Sequence, residues 1–370
     1  MTRTQKTYSI IISGGGTGGH IYPAIAIANA WKEKHPSADI LFVGAEGKME
    51  MTKVPEAGYT IKGLPVAGLQ RSLSLSNLSF PFKLLKSLRL AGKILKDFDP
   101  VAVVGVGGYA SGPVLYAAQK NGIPTLIQEQ NSYAGLTNKL LAKNANSICV
   151  AYPGMEKFFP PSKIQYTGNP VRKDILDLSG KKDKGLSHFG LDSLRKTILV
   201  LGGSLGARTI NRAVLADMQA FEKEGYQLLW QSGKFYFDEM TEKVKLSGLK
   251  HIHVKEFIRE MDLAYAAADL VVSRAGALSV SELSLVGKPV VFIPSPNVAE
   301  DHQTKNAMAY VQESAALLLK DAEAIGNLKT TVDTIFSDPS KAEEMGKNIK
   351  RLAKPEAAND IVKALESIIA

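Results

Sequence analysis

The chain has one cysteine in 370 residues, Cys149, so no internal disulfide framework can hold it, and a reducing compartment is its simplest setting. Aromatic residues make up only 7% of the sequence. They are not interleaved with basic residues as a base-stacking surface requires, which argues against nucleic acid as a partner. No apolar run approaches the roughly 20 residues of a membrane-spanning helix. The polar start, Met1 to Thr7, followed soon by a glycine break, predicts no signal peptide. No Cys or His cluster has zinc spacing. The D-x-D at Asp97-Phe98-Asp99 falls at a helix end before a strand, on the amino edge of a sheet, and reads as surface charge. Neither a metal nor a cofactor is therefore expected. Acidic residues are also short, 36 against 45 Lys and Arg, and the net charge of +9 suggests an anionic partner.

What is present is a repeated scheme. The length allows two domains with full cores. In the first half, apolar runs at Ile10–Ser13, Ile40–Gly44, Val101–Gly105, Thr125–Gln128, Ile148–Ala151 and Ile164–Thr167 alternate with helical patterns, including Pro113–Lys120 and Gly135–Ala145. Gly168-Asn169-Pro170 breaks the pattern and Asp174 to Asp192 is polar and lysine-rich, which marks a boundary. The scheme restarts at Ile198–Leu201 and continues through Gln227–Trp230, Ile252–Val254, Leu270–Ser273, Val290–Ile293 and Ala316–Leu319. From Lys341 the chain reads as helix, interrupted at Pro355. The predicted fold class is α/β: two doubly wound, Rossmann-like domains facing a cleft, spanning 1–170 and 171–354, with a final helix of about 355–370 packing back on the first.

Ligands of such sheets bind beyond the carboxyl ends of the strands, where the glycine turns fall. The first turn, Ser13-Gly14-Gly15-Gly16-Thr17-Gly18-Gly19-His20, lies between a strand and a helix whose first turn would contain Pro23. Glycines admit close backbone approach and the helix start offers free N–H groups, a geometry for phosphate or another oxyanion. Gly14-x-Gly16-x-x-Gly19 also matches a dinucleotide fingerprint, but Glu46 is poorly placed for the acidic partner that a nicotinamide enzyme needs. Gly105 to Pro113 is a second such turn, and Gln128-Glu129-Gln130-Asn131 is a polar cluster at a strand end. In the second half, Gly202 to Arg208 repeats the anion-site pattern, Ser273 to Glu282 leads into a helix, and Glu300-Asp301-His302-Gln303 follows a proline-rich turn. Glu282 could bind a ribose diol or cap a helix.

One stretch stands apart. Wound as a helix from Phe82, the chain puts Lys83, Lys86, Arg89, Lys93 and Lys96 on one side and Leu84, Leu88, Ala91 and Leu95 on the other. Leu75, Leu78, Phe80 and Phe82 make the preceding loop apolar. This suits an anionic membrane surface, or a packed helix with a solvated basic face.

Together these motifs resemble the bacterial MurG family. The matching pieces are Gly15 to His20, Gly108 to Pro113, Glu129-Gln130-Asn131, Gly168 to Arg172, Gly202 to Arg208, Arg274 to Ala277 with Ser281-Glu282, and Asp301-His302-Gln303. The sequence departs from the family at Gln128, where histidine is frequent, at Ser279, where threonine is usual, and at the extra Gly14. The resemblance implies a GT-B glycosyltransferase, inverting and metal-independent. It would transfer N-acetylglucosamine from UDP-N-acetylglucosamine to lipid I (undecaprenyl-pyrophosphoryl-MurNAc-pentapeptide), forming lipid II in peptidoglycan synthesis. The place of action would be the cytoplasmic face of the bacterial inner membrane, as a peripheral protein. A glycolipid synthase of the same fold is the main alternative. By carry-over, Ile258 would meet uracil, Glu282 the ribose, Ser204 phosphate, and Arg172 the pyrophosphate region. Asn131, Ala277, Leu278 and Gln303 would surround the sugar, with Ser279, Val280 and Ser281 completing the segment. Thr17, Gly18 and Gly19 would close on the donor. His20 is the first choice of general base, with Tyr109 and Glu129 as alternatives.

Overall fold

The computed structural model describes residues 8–66 and 80–369, and divides into two compact units, 1–171 with 355–370, and 172–354. The first holds a seven-stranded parallel sheet. Its strands are β1 (Ile10–Ser13), β2 (Ile40–Ala45), β3 (Thr60–Leu64), β4 (Ala102–Gly105), β5 (Thr125–Glu129), β6 (Ser147–Val150) and β7 (Ile164–Tyr166), in the order β3-β2-β1-β4-β5-β6-β7. The second holds β8 (Lys196–Leu201), β9 (Tyr226–Gln231), β10 (Ile252–Lys255), β11 (Leu270–Ser273), β12 (Val290–Phe292) and β13 (Leu317–Leu318), all parallel, in the order β10-β9-β8-β11-β12-β13. Each sheet thus reverses its winding once, between β1 and β4 and between β8 and β11.

Both faces of the first sheet are covered over its central strands, which is why these read as unbroken apolar runs. Ile10 and Ile12 face a layer built from α1 (Gly18–Lys34) and α14 (Ala357–Ser367), where Ile27, Trp31, Ile361 and Leu365 are buried. Ile11 faces the other layer, where α3 (Phe80–Phe98), α4 (Ser111–Lys120) and α5 (Leu136–Leu141) bring Leu95, Val114, Leu115 and Leu141. In the second unit, α7 (Arg208–Lys223), α8 (Phe237–Ser247), α12 (Leu328–Phe336) and α13 (Pro339–Arg351) cover one face through Ile210, Phe221, Met240, Ile335 and Met345. The same unit contains α6 (Lys182–Phe189), α9 (Met261–Ala267), α10 (Ala277–Val286) and α11 (His302–Val311).

Several local expectations are corrected. The helix after the first glycine turn begins at Gly18, so Pro23 lies inside α1 rather than in its first turn. Gly18 and Gly19 join the helix because Thr17, extended at φ −144°, serves as its N-cap. β3 and α2 (Glu50–Glu56) were not legible: β3 is a half-exposed edge strand and α2 a seven-residue helix containing Pro55. The lysine-rich stretch after residue 174 is more than a linker, since it folds as α6, burying Leu186 and Phe189.

The C-terminal helix is tied to the first unit by packing and charge. Ile361 and Leu365 are fully buried, and Glu366 accepts from Lys34 Nζ at 2.5 Å and pairs with His35 Nε2 at 3.0 Å. Leu365→Ala should therefore cost the first unit about 2–5 kcal/mol through the cavity it leaves. Urea unfolding followed by Trp31 fluorescence, in a Trp230→Phe background, measures that loss.

Candidate active site

The reversal point of the first sheet sets two glycine turns side by side, one after β1 and one after β4. They are packed backbone to backbone. A Cβ on Gly108 (φ +86°) would overlap the Gly15 carbonyl oxygen, and one on Gly14 would lie 2.8 Å from the Gly107 carbonyl oxygen. Glu50, buried on α2, fastens the first turn from beneath. Its carboxylate accepts from Gly16 N at 2.8 Å and from Ala45 N at 2.9 Å, and the absent Cβ of Gly15 leaves the room it occupies.

His20, three residues into α1, turns back on this loop. Its Nδ1 lies 2.9 Å from the Gly15 carbonyl oxygen and 3.4 Å from Thr17 Oγ1. A carbonyl can only accept, so Nδ1 carries the proton and Nε2 holds the lone pair of the neutral ring. The imidazole edge bearing Nε2 lies over Gly107, where a Cβ would come within 3.0 Å of it. Tyr109, on the second turn, is 56% exposed. Thr17 is exposed, and Gly18 and Gly19 open the helix beside it.

The polar cluster at the end of β5 is largely buried and hydrogen-bonded within itself and to its surroundings. Gln130 Nε2 donates to the Val106 carbonyl at 2.9 Å, and Asn169 Nδ2 donates to the Gln130 carbonyl at 3.0 Å. Gln128 Nε2 donates to Asn169 Oδ1 at 2.9 Å, and its own Oε1 accepts from Gln130. Glu129 accepts four N–H groups: from Asn131 N (3.1 Å), Asn131 Nδ2 (3.4 Å), Gly135 N (2.9 Å) and Asn138 Nδ2 (2.9 Å). Its lone pairs point at those donors, so it shapes the loop that carries Asn131. Cys149, behind this cluster, is pushed up to about 12 by burial and is no nucleophile at neutral pH.

In the second unit, the turn after β8 leads into α7, whose first N–H groups have no helical partner. Ser204 is exposed on that turn, and its carbonyl accepts from Lys234 N at 3.0 Å. The neighbouring turn after β11 starts α10, with Gly276 as N-cap, Ala277 and Val280 buried, and Leu278, Ser279 and Ser281 half-buried. Arg274 anchors that turn: its guanidinium donates to the Ile293 carbonyl at 2.9 Å and the Pro294 carbonyl at 3.1 Å, and pairs with Asp321. Gln303 Oε1 accepts from Ser295 N at 2.9 Å. Just before it, Glu300 and Asp301 both adopt left-handed backbone (φ +56° and +51°), a strain of about 1–3 kcal/mol each that clusters at functional turns. The Ile258 N–H donates to Gln231 Oε1 at 2.9 Å.

Glu282 forms the centre of a charged group in this unit. Its Oε1 accepts from Arg172 Nε at 3.2 Å and its Oε2 from the Tyr265 hydroxyl at 3.1 Å. Burial raises its carboxyl above the usual range, against the pull of Arg172 and Tyr265. Burial likewise opposes the Arg172 charge, but Glu282 and Asp174 outweigh it and the guanidinium pKa rises. Burial, with the Glu282 charge, lifts Tyr265 well above 10.0. Sequence reading missed Glu50 and Tyr265. Nothing in their local pattern marks them, because each acts through a partner distant in the chain.

Of the membrane candidates, Leu75 and Leu78 lie outside the described residues, as does the side chain of Phe80. Phe82 is 77% and Leu85 52% exposed at the start of α3, beside exposed Lys83 and Lys86. Lys93 and Lys96 are exposed further along, while Ala91, Ile94 and Leu95 are buried. No helix among the described residues is long and apolar enough to cross a membrane.

Comparison with known proteins gives concordant results. The model of the glycosyltransferase family 28 N-terminal domain matches residues 10–150, and that of its C-terminal domain matches residues 197–361. The chain is similar to a UDP-N-acetylglucosamine–N-acetylmuramyl-(pentapeptide) pyrophosphoryl-undecaprenol N-acetylglucosamine transferase of Flavobacterium psychrophilum, at 54% identity over 99% of both chains. A protein of the same name from Phocaeicola vulgatus is 56% identical over 97% of this chain and 96% of its own. The crystal structure of Acinetobacter baumannii MurG superimposes with a TM-score of 0.78 at 28% identity, over 97% of this chain and 99% of that one.

The Glu50 contacts make a prediction about the loop. Glu50→Ala leaves two backbone N–H groups short of their acceptor, costing about 1–3 kcal/mol for each that stays buried. The same substitution should raise hydrogen exchange at Gly16 and Ala45 above that of β1, which mass spectrometry reads directly.

Proposed function

The chain belongs to the MurG family within glycosyltransferase family 28, and we infer that it performs that family's reaction. It transfers N-acetylglucosamine from UDP-N-acetylglucosamine to the muramoyl sugar of lipid I, forming lipid II. What carries this reading is the likeness to transferases of that name along the whole chain. Near-full-length likeness to transferases of that name leaves the nicotinamide and glycolipid-synthase alternatives not favoured.

The donor belongs to the second unit. We assign uracil to the Ile258 carbonyl, the ribose diol to Glu282, and the diphosphate to Ser204, Arg172 and the start of α7. The sugar falls to the segment from Ala277 to Ser281, with Gln303 and Asn131. We assign Thr17, Gly18 and Gly19 a donor contact as well. The acceptor 4-hydroxyl attacks the anomeric carbon with inversion as UDP leaves from the opposite face. Charge grows on the departing diphosphate, and N–H groups preset at the starts of α7 and α10 stabilise it most in the transition state. This supply of positive potential needs no metal ion.

His20 takes the hydroxyl proton. The hydrogen bond from Nδ1 to the Gly15 carbonyl supports that role, since it fixes the tautomer whose Nε2 can accept. Exposed Tyr109 suits an acceptor contact, and Glu129, with its four N–H donors, suits a holding role. The protein works at the cytoplasmic face of the membrane, bound peripherally to anionic lipid. Phe82, Leu85, Lys83 and Lys86 at the start of α3 support this, pairing exposed apolar rings and chains with cationic heads.

The purified protein should release UDP from UDP-N-acetylglucosamine only when a lipid I analogue is present, at a rate that EDTA leaves intact. Release with diacylglycerol and none with lipid I would overturn the assignment. His20→Ala should lower kcat by about 10²–10⁴-fold while calorimetry finds UDP binding unchanged. Co-sedimentation with anionic vesicles should fall when Phe82 and Leu85 become serine, and again at high salt. Sedimentation indifferent to both would leave α3 as a plain solvated helix.

A further inference from the structure

Glu282 is a largely buried carboxylate with two unlike partners. Its side chain is 14% exposed, while that of Arg172, on Oε1, is 40% exposed. Tyr265, on Oε2, is 1% exposed on α9 and cannot reach a ligand from there. Arg172 also has a second carboxylate within reach, Asp174 Oδ1 at 4.0 Å. One bond of this group is therefore free to exchange and the other is not. A ligand can draw the exposed guanidinium away, since an anion nearby competes for its charge, but nothing in solvent competes for the Tyr265 hydroxyl.

We infer that Tyr265 is a positioning residue for donor recognition: its hydroxyl fixes Oε2 of Glu282 and favours the ionised carboxylate, so that Oε1 is the oxygen exchanged between Arg172 and the vicinal hydroxyls of the nucleotide ribose. The inference rests on the assignment of the UDP-sugar to this unit. Before the donor arrives, Arg172 offsets the buried charge. When it arrives, the diphosphate gives Arg172 a new counter-ion and the ribose hydroxyls donate to Oε1 in its place. Throughout the exchange Glu282 keeps one hydrogen bond that no ligand has to supply, which spares the carboxylate an interval without any partner.

The groups acting on Glu282 are few. Arg172 and Asp174 face it from the segment that opens this unit, and Tyr265 faces it from α9. Two further helices pack on α10. From α11, Lys305 Nζ is bonded to the Glu300 carbonyl at 2.7 Å, and His302 stands at the helix start. From α13, Lys350 lies along Gly287, beyond the far end of α10. The sign of the Tyr265 effect follows from its bond. A hydroxyl donating to a carboxylate favours ionisation, so its removal raises the Glu282 pKa and carries the neutral, ribose-incompetent form to higher pH.

The test is UDP binding by calorimetry for the wild type and Tyr265→Phe, compared from mildly acid to mildly alkaline pH, since a raised carboxyl pKa carries the neutral form upward in pH. The phenyl ring preserves the packing, and titration of UDP itself cancels in the ratio of the two affinities. Tyr265→Phe should bind nearly as well as the wild type at the alkaline end, and its deficit should grow to roughly tenfold at the acid end. Glu282→Gln should bind weakly throughout, and adding Tyr265→Phe to it should change nothing further with pH. A deficit constant across the pH range, or no deficit at all, would assign Tyr265 to packing alone and overturn the inference while leaving the donor site in place. A wild type that does not bind UDP would overturn the donor assignment, and this inference with it.

Discussion

Two glycine turns lie so close at the first sheet's reversal point that a Cβ at Gly14 or Gly108 would overlap the other turn. That approach sets the geometry of the rim. It brings the turn after β1 against the turn after β4 and leaves a gap at Gly15 that the Glu50 carboxylate fills. It also points the Gly15 carbonyl at His20, which selects the ring tautomer. A side chain at any of these glycines would displace more than itself: the loop, its acceptor and the histidine would move together.

The second unit reaches a comparable arrangement by different means. Its turns after β8 and β11 also lie at the winding reversal and also open helices. The turn after β11 is held by a side chain: Arg274 spans the Ile293 and Pro294 carbonyls and Asp321, and Asp321 accepts in turn from Thr209 Oγ1 at 2.7 Å on α7. One arginine thus couples the starts of α10 and α7, where the departing diphosphate is proposed to gain its charge. Preorganisation of this kind is effective because the donors need not reorient during reaction.

The reach of sequence reading follows from what each feature depends on. Strands buried on both faces announce themselves as apolar runs, so most strands of the two sheets were legible, and the glycine turns at their ends pointed to both reversal points. β3 escaped because an edge strand with a half-exposed face has no such run, and α2 because it is short and contains Pro55. α6 was hidden by the exposed Lys182 and Lys184, while Leu186 and Phe189 carry the packing. At the site, residues in glycine-rich motifs could be named. Those that act through tertiary contact could not, since Glu50 lies 34 residues from Gly16 and Tyr265 lies 17 from Glu282. Spacing along the chain carries no trace of such pairs.

Two buried glutamates and a third that is largely buried mark the difference between structure and recognition in this protein. Glu50 and Glu129 receive N–H groups of their own unit, in each case including two backbone N–H groups fixed in the chain they hold. Their charge is therefore committed to shape. Glu282 receives one buried hydroxyl and one half-exposed guanidinium, and the guanidinium has another carboxylate to turn to. A buried acid whose only mobile partner is a cation is satisfied when empty and still able to accept a neutral diol. That property distinguishes a recognition carboxylate from a structural one more sharply than position in a motif, for Glu129 also stands in a motif.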